Sequence, residues 1–95
     1  MTPSTIDEPV VGTLADTLLE EMCQVILHND DVNLADFVAR CLMRVFGHTE
    51  QLAYKIMLEA HNKGHAIAQV EAETEARLHR DQLQSFGLTA TIEKV

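Results

Sequence analysis

The sequence is poor in residues that several function classes require. It has no Trp, three Phe and one Tyr in 95 residues. Aromatic platforms for stacking single-stranded nucleic acid are therefore not expected. A formal net charge of −8 also argues against a polyphosphate partner. The two cysteines, Cys23 and Cys41, show no CxxC spacing and suggest no disulfide framework. No apolar run approaches the ~20 residues that span a bilayer. The N-terminus lacks the basic and apolar regions of a signal peptide. These absences lead us to expect a soluble, cytoplasmic protein with no membrane or nucleic-acid partner. A chain of 95 residues allows one domain and no second core.

Lys and Arg are missing from residues 1–39, which carry eight acids, among them Asp7, Glu8, Asp30, Asp31 and Asp36. Residues 40–95 hold seven residues of each sign. A solvated acidic tail accounts for part of this imbalance, and a cationic ligand drawn to that end is the sharper reading. Residues 1–21, with Pro3, Pro9, Gly12 and several Thr, read as a flexible acidic arm with a helical turn near Leu14, Leu18 and Leu19. Residues 22–95 form the core domain.

What is present is clear periodicity. Met22 to His28 is a β-branched run closed by the polar turn Asn29-Asp30-Asp31, a strand and its exit. Phe37, Val38, Cys41, Leu42, Val45 and Phe46 recur on one helical face, with Asn33 as the expected N-cap and Gly47 as the stop. Cys41 on that stripe reads as a buried free thiol. A second helix starts at the cap Thr49, carries Leu52, Ala53, Ile56, Met57, Ala60 and His61, and ends at Gly64. Ala66, Ala68 and Val70 alternate with His65, Ile67 and Gln69, which predicts a strand. Ala72 to Phe86 reads as a third helix with Ala72, Ala76, His79, Leu83 and Phe86 on one side and Gly87 as stop. Leu88, Ala90 and Ile92 alternate into a closing strand. The expected fold is an α/β (α+β) sandwich of order β-α-α-β-α-β, a three-stranded antiparallel sheet with three helices on one face.

The short link between the first two helices makes them antiparallel. Counting back from the turn at about His48 places His61 level with Ala35, beside Asn29, Asp30 and Asp31. Spacing therefore predicts a polar rim (Asn29, Asp30, Asp31, His61) over an apolar floor (Ala35, Val38, Met57, Ala60). Three chemistries fit such a site. A hydrolase would use His61 as base, but Ser4 and Ser85 are remote and Cys41 is on the buried stripe. A metal site would draw on His28, Asp30, His61 or His65, without a tight ligand motif. Recognition of a cation would use carboxylate, amide and imidazole acceptors for the three N–H donors of an ammonium group. A free protein N-terminus with an apolar first residue satisfies that last chemistry. Each residue also has a plainer reading: a turn for Asn29-Asp30-Asp31, a helix-dipole partner for His61, core for Met57.

The segment Val25-Ile26-Leu27-His28-Asn29-Asp30-Asp31, then Phe37-Val38, then Met57-Leu58-Glu59-Ala60-His61-Asn62-Lys63-Gly64-His65-Ala66 resembles the ClpS family. That family comprises adaptors of ATP-dependent Clp proteases. The resemblance covers about residues 23–95, including the ending Thr89-Ala90-Thr91-Ile92-Glu93-Lys94. It implies a non-enzymatic, cofactor-free, monomeric adaptor. Such adaptors bind N-degron substrates whose first residue is Leu, Phe, Tyr or Trp. They deliver them to the N-terminal domain of a Clp AAA+ unfoldase of the ClpA or ClpC type, which feeds the protease. By position, the resemblance implies that Asn29, Asp30 and His61 hold the α-amino group. It implies that Asp31 and Asn33 shape the rim and contact the peptide backbone. Ala35, Val38, Leu42, Met57, Ala60 and Leu88 would line the side-chain pocket. Glu73, Glu75 and Arg77 would meet the unfoldase, and the arm would assist delivery. A regulatory subunit that modulates a Clp protease without binding N-degrons is the alternative.

The chain departs from the family's pattern after the turn. The usual Tyr-Thr-Pro-Met-Glu-Phe is here Val32-Asn33-Leu34-Ala35-Asp36-Phe37. Ala35 stands where a Met commonly gates the pocket, and Ala60 replaces a larger aliphatic residue. Both remove volume, so the pocket is expected to be roomier: it either admits β-branched residues or holds Leu with voids. The third helix is also about a turn shorter than the family's usual one. These differences fit a second, specialised adaptor.

Overall fold

The computed structural model describes residues 19–95. Leu14, Leu18 and the rest of the expected arm up to residue 18 lie outside the described residues. The element order is β1 (Met22–His28), α1 (Ala35–Phe46), α2 (Glu50–Lys63), β2 (His65–Ala72), α3 (Glu73–Ser85) and β3 (Ala90–Lys94). The sheet is antiparallel with order β2-β1-β3.

Local signals fix the helix ends. Thr49 caps α2 by accepting from the Leu52 N–H at 3.2 Å. Gly47 and Gly64 close α1 and α2 in left-handed conformation, at φ 73° and 94°, where a Cβ would be strained. Their N–H groups return to the carbonyls of Met43 and Ala60, both at 2.8 Å. The cap of α1 is a correction to the expectation. The N-cap position is Leu34, which has no side-chain capping bond. Asn33 lies one residue further out, and its side chain is bonded to Asp30 in the same loop and to the distant Gly87 carbonyl.

The core joins one face of the sheet to the helices. Cys23, Val25 and Leu27 of β1 are buried with Ala66, Ala68 and Ala90 of the flanking strands. They meet Ala53, Ile56, Met57 and Ala60 of α2 and Ala76 and Leu83 of α3. Val38, Ala39, Cys41 and Leu42 of α1 pack against both of those helices. Cys23 and Cys41 are both free and buried. Burial pushes the Cys41 thiol above its ordinary pKa. Two stripe residues are less covered than their spacing implies: Phe37 and Leu52 border the core and face partly outward.

The strict alternation expected of β2 breaks at one point. Ile26 pairs with Ile67, yet Val25 pairs with Gln69, so Ala68 is an extra residue on β2. Such an irregularity flips the phase of the strand. Ala66 stays inward, while Val70 pairs with Gln24 and is exposed. Beyond the extra residue, Glu71 shares the inward phase of its partner Cys23 and reaches α3, where its carboxylate meets His79 Nδ1 at 2.6 Å.

Candidate functional site

The end of β1 runs straight into the loop of residues 29–34, and three neighbours hold that passage in place. The His28 N–H donates to the Thr89 carbonyl at 3.0 Å, and the Asn29 N–H donates to the Gly64 carbonyl at 2.9 Å. The Asn33 side chain donates to the Gly87 carbonyl at 3.1 Å. The loop is therefore tied to the entry of β3, the α2–β2 turn and the α3–β3 turn.

Within the loop Asp30 is the hub. Its Oδ1 accepts from the N–H groups of Val32 (2.8 Å) and Asn33 (3.0 Å), and its Oδ2 accepts from Asn33 Nδ2 at 2.6 Å. Partial burial alone would raise the Asp30 carboxyl. The Asn33 side-chain amide and the two backbone N–H groups outweigh it and hold the group below its ordinary value. A carboxylate offers about four acceptor positions, and most of those on Asp30 are thus spent inside the loop. Asp31 differs. It is exposed, and among the described residues its Oδ1 accepts from Asn29 Nδ2 alone, at 3.3 Å. That bond uses the Asn29 amide N–H, and among the described residues nothing donates to its carboxamide oxygen.

Above this loop a cavity of about 310 Å³ opens between the loop and the first two helices, at the small end of the ~300–1,000 Å³ usual for ligand sites. Asn29, Asp30, Asp31, Asn33 and His61 supply its polar lining. Ala35, Val38, Met57 and Ala60 supply its apolar walls. His61 sits on the last turn of α2 and is exposed to solvent. The residues counted together across the α1–α2 turn thus line one cavity. Three more lining residues, Leu27, His28 and Leu34, were not expected. Leu34 had a signal of its own, a leucine just ahead of a helix in a polar loop; it is 79% exposed. Leu42 and Leu88 do not line the cavity. They are 0% and 3% exposed and belong to the core.

The rival chemistries meet different geometry. His28 Nε2 is bonded to Thr91 Oγ1 at 2.7 Å, and His28 pairs across the strands with His65. Among the described residues no three His, Cys, Asp or Glu side chains converge to hold a metal ion. The Ser85 hydroxyl donates to the Gln82 carbonyl at 2.6 Å, at the end of α3. Ser4 lies outside the described residues.

Glu73, Glu75 and Arg77 sit on the first turns of α3. Arg77 bonds Glu73 Oε2 through Nη2 at 2.7 Å and through Nε at 3.1 Å. That guanidinium holds the Glu73 carboxyl below its ordinary value. Glu20 and Glu21 anchor the same turn: Glu20 Oε1 accepts from the Thr74 N–H and the Glu21 carbonyl accepts from the Glu73 N–H. This turn adjoins the Met22 end of β1, whereas the cavity adjoins the His28 end. Seven residues of strand at ~3.3 Å each separate the two surfaces by roughly 20 Å.

The family model for "ATP-dependent Clp protease adaptor protein ClpS" matches residues 19–91. The chain belongs to the ClpS family. It is 37% identical over 71 residues to the ATP-dependent Clp protease adapter protein ClpS of Streptomyces avermitilis, covering 73% of this chain and 66% of that protein. It is 42% identical over 71 residues to the chloroplastic ClpS1 adapter of Arabidopsis thaliana, covering 74% of this chain and 45% of that one. The chain thus spans under two-thirds of the length of either relative. The structure of Agrobacterium tumefaciens ClpS2 bound to L-phenylalaninamide superposes with TM-score 0.70 at 28% identity, covering 79% of this chain and 98% of that one. Its three helices and antiparallel three-stranded sheet are shared with the ClpS fold. The family is one of adaptors rather than of proteases, and among the described residues no helix is long and apolar enough to cross a membrane.

Proposed function

We propose that this protein is an adaptor that captures the free N-terminus of polypeptides beginning with a bulky apolar residue. Leu, Phe, Tyr and Trp are the expected class, and a Clp AAA+ unfoldase in the cytoplasm is the recipient. One observation carries the reading: a rim of open acceptors stands over an apolar cavity of about 310 Å³. An α-ammonium group presents three N–H donors. The Asn29 carboxamide oxygen, an Asp31 carboxylate oxygen and a ring nitrogen of neutral His61 are three acceptors for them. Asp30 adds negative charge behind them while its oxygens build the loop. The first side chain enters between Val38, Met57 and Ala60. The ligand of the Agrobacterium protein, L-phenylalaninamide, joins a free amine to an apolar side chain in the same way.

The magnitudes are adequate. Burying a Leu or Phe side chain contributes about 1.5–3 kcal/mol. Each charge-assisted hydrogen bond adds about 1.5–3 kcal/mol. After the cost of association, a dissociation constant near the micromolar range, about −8 kcal/mol, follows. Delivery uses the far end of the molecule, where Glu73, Glu75 and Arg77 form the surface for the unfoldase.

Titration of peptides beginning Leu, Phe, Tyr, Trp, Ile and Met, each with an acetylated control, tests the reading. Saturable binding of the free amines and its loss on acetylation is the expected result. Equal binding of both forms rejects the ammonium site. An absence of peptide binding together with intact unfoldase binding supports the purely regulatory alternative.

A further inference from the structure

We propose that Asn33 is a positioning residue, a brace that ties Asp30 to the Gly87 carbonyl and holds Asn29 and Asp31 in the shape that meets an ammonium group. The proposal rests on the reading above and deepens it. It also revises the expectation that Asn33 contacts the peptide backbone.

The geometry accounts for every N–H of Asn33. The backbone N–H goes to Asp30 Oδ1 at 3.0 Å. The two hydrogens of Nδ2 go to Asp30 Oδ2 at 2.6 Å and to the Gly87 carbonyl at 3.1 Å. None is left for a peptide carbonyl. The far anchor is firm. Gly87 has φ 87°, a left-handed conformation suited to glycine. Its N–H returns to the Gln84 carbonyl at 2.9 Å, and the next N–H, of Leu88, returns to the Leu83 carbonyl at 3.1 Å. The brace therefore rests on a hydrogen-bonded turn seated on the core residues Leu83 and Leu88.

Without the Asn33 side chain the loop keeps its end bonds, Asn29 to Gly64 and Val38 to Leu34, and the backbone N–H bonds to Asp30 Oδ1, but its middle loses the tie to the α3–β3 turn. Between the end bonds lie Asp30 and Asp31. Two adjacent carboxylates repel, and the loop needs a donor to fix the first so that the second stays at the rim. The Val32 and Asn33 backbone N–H groups hold Oδ1, and the Asn33 side chain is the donor that fixes Oδ2 and links it to the α3–β3 turn. The ionisable groups that share the cavity with Asp30 are Asp31 on the loop, His28 on β1 and His61 on α2. The α3–β3 turn contributes the Gly87 carbonyl.

Two measurements on the full chain test this, with Asn33→Ala as the variant and Asn33→Ser as a second. The Ser hydroxyl has one hydrogen and can serve one anchor, not both. The first measurement is the NMR titration of the Asp30 carboxyl carbon without ligand. We expect its midpoint to rise in Asn33→Ala and to rise less in Asn33→Ser. The second compares a Leu-initiated peptide with its des-amino twin at neutral pH. In the wild type the amine strengthens binding. In Asn33→Ala that advantage falls by about fivefold, with Asn33→Ser between. A direct peptide contact would instead weaken both peptides equally and leave the ratio unchanged. An unchanged ratio, or an unmoved Asp30 titration, overturns the proposal. Equal affinity of the wild type for the two peptides sinks the ammonium reading itself, while the Asp30 titration still decides whether Asn33 braces the loop. If Asn33→Ala unfolds, Asn33→Ser gives the same two readouts.

Discussion

His48 donates from Nε2 to the carbonyl of Ala68 at 2.8 Å, so the α1–α2 turn is fastened to the irregular point of β2. A carbonyl only accepts, which fixes the proton on Nε2. The ring also stacks on Phe46 at 5.1 Å, and Phe46 meets His79 edge-on at 5.0 Å. His79 in turn bonds Glu71. One aromatic and two imidazoles thus lock a turn, a strand and α3 together, away from the cavity. We predict that His48→Ala lowers unfolding stability by about 1–3 kcal/mol, because a half-buried carbonyl loses its donor and a ring loses its stack. Peptide affinity stays within twofold of wild type, roughly the noise of such titrations. Denaturant unfolding and peptide titration on the same variant check both halves.

Asp30 makes stability depend on pH in a defined direction. Its carboxyl lies below the ordinary 3.8 in the folded protein because the ionised form accepts from Asn33 and Val32. A group depressed on folding stabilises the native state above its unfolded-state pKa, and that contribution disappears as pH falls through the folded-state value. Asp30→Ala is therefore expected to lower stability at pH 7, by an amount that solvent screening of this partly exposed carboxylate keeps small. The gap between wild type and variant should hold down to about pH 4 and close below it. Urea unfolding of both proteins from pH 7 to pH 2.5 measures it. A gap that is constant over the whole range contradicts the assigned role of the carboxylate.

How much of this could be read from the residues depends on how local the cause is. Thr49, Gly47 and Gly64 act within a few residues of themselves, so the helix ends were legible. That His61 lines one cavity with Asn29, Asp30 and Asp31 was legible because a short turn and the 3.6-residue period leave little freedom. Asn33 was misplaced as a cap because its side chain has two uses, and only the tertiary fold brings Gly87 close enough to decide between them. Val70 was misplaced for a similar reason. The extra residue at Ala68 flips the strand's phase, and its anchor, His48, is twenty residues away. Leu42 follows Val38 by one helical turn and shares its face. Helical spacing cannot tell where a cavity ends and closed packing begins, and here it ends at Val38.

Ala35 sets the mouth of the cavity. It is the first residue of α1, it lines the cavity, and its own side chain is small and exposed. Ala35→Met adds three heavy atoms over the opening without disturbing the core. We expect Ile- and Val-initiated peptides, broad at the β-carbon, to weaken relative to Leu by about tenfold, the discrimination available from a methyl group in a shaped pocket. The melting temperature should not move, since the position is exposed. Parallel titrations of Leu, Ile and Val peptides against both proteins report the ratio. An unchanged ratio would place the first side chain away from Ala35.

Arg77 tests whether capture and delivery are separable. Its guanidinium is paired with Glu73 on the surface of α3, and the turn it belongs to lies at the Met22 end of β1, the length of the strand from the cavity. Arg77→Glu sets three acids together over residues 73–77 and leaves no cation among them. Exposed surface pairs of this kind contribute little to folding because solvent screens them, so the variant should fold. Exposed charges roughly two Debye lengths from the cavity barely act there at physiological salt, where screening falls off over ~8 Å. Peptide affinity should therefore remain within twofold, while binding to a Clp unfoldase N-terminal domain falls by about tenfold or more, as expected for reversing a charge at an interface. Calorimetric titration against the peptide and against the domain gives both numbers from one preparation. A loss of peptide binding equal to the loss of unfoldase binding would mean that the two surfaces are coupled through α3. The delivery surface would then have to be sought at the cavity end.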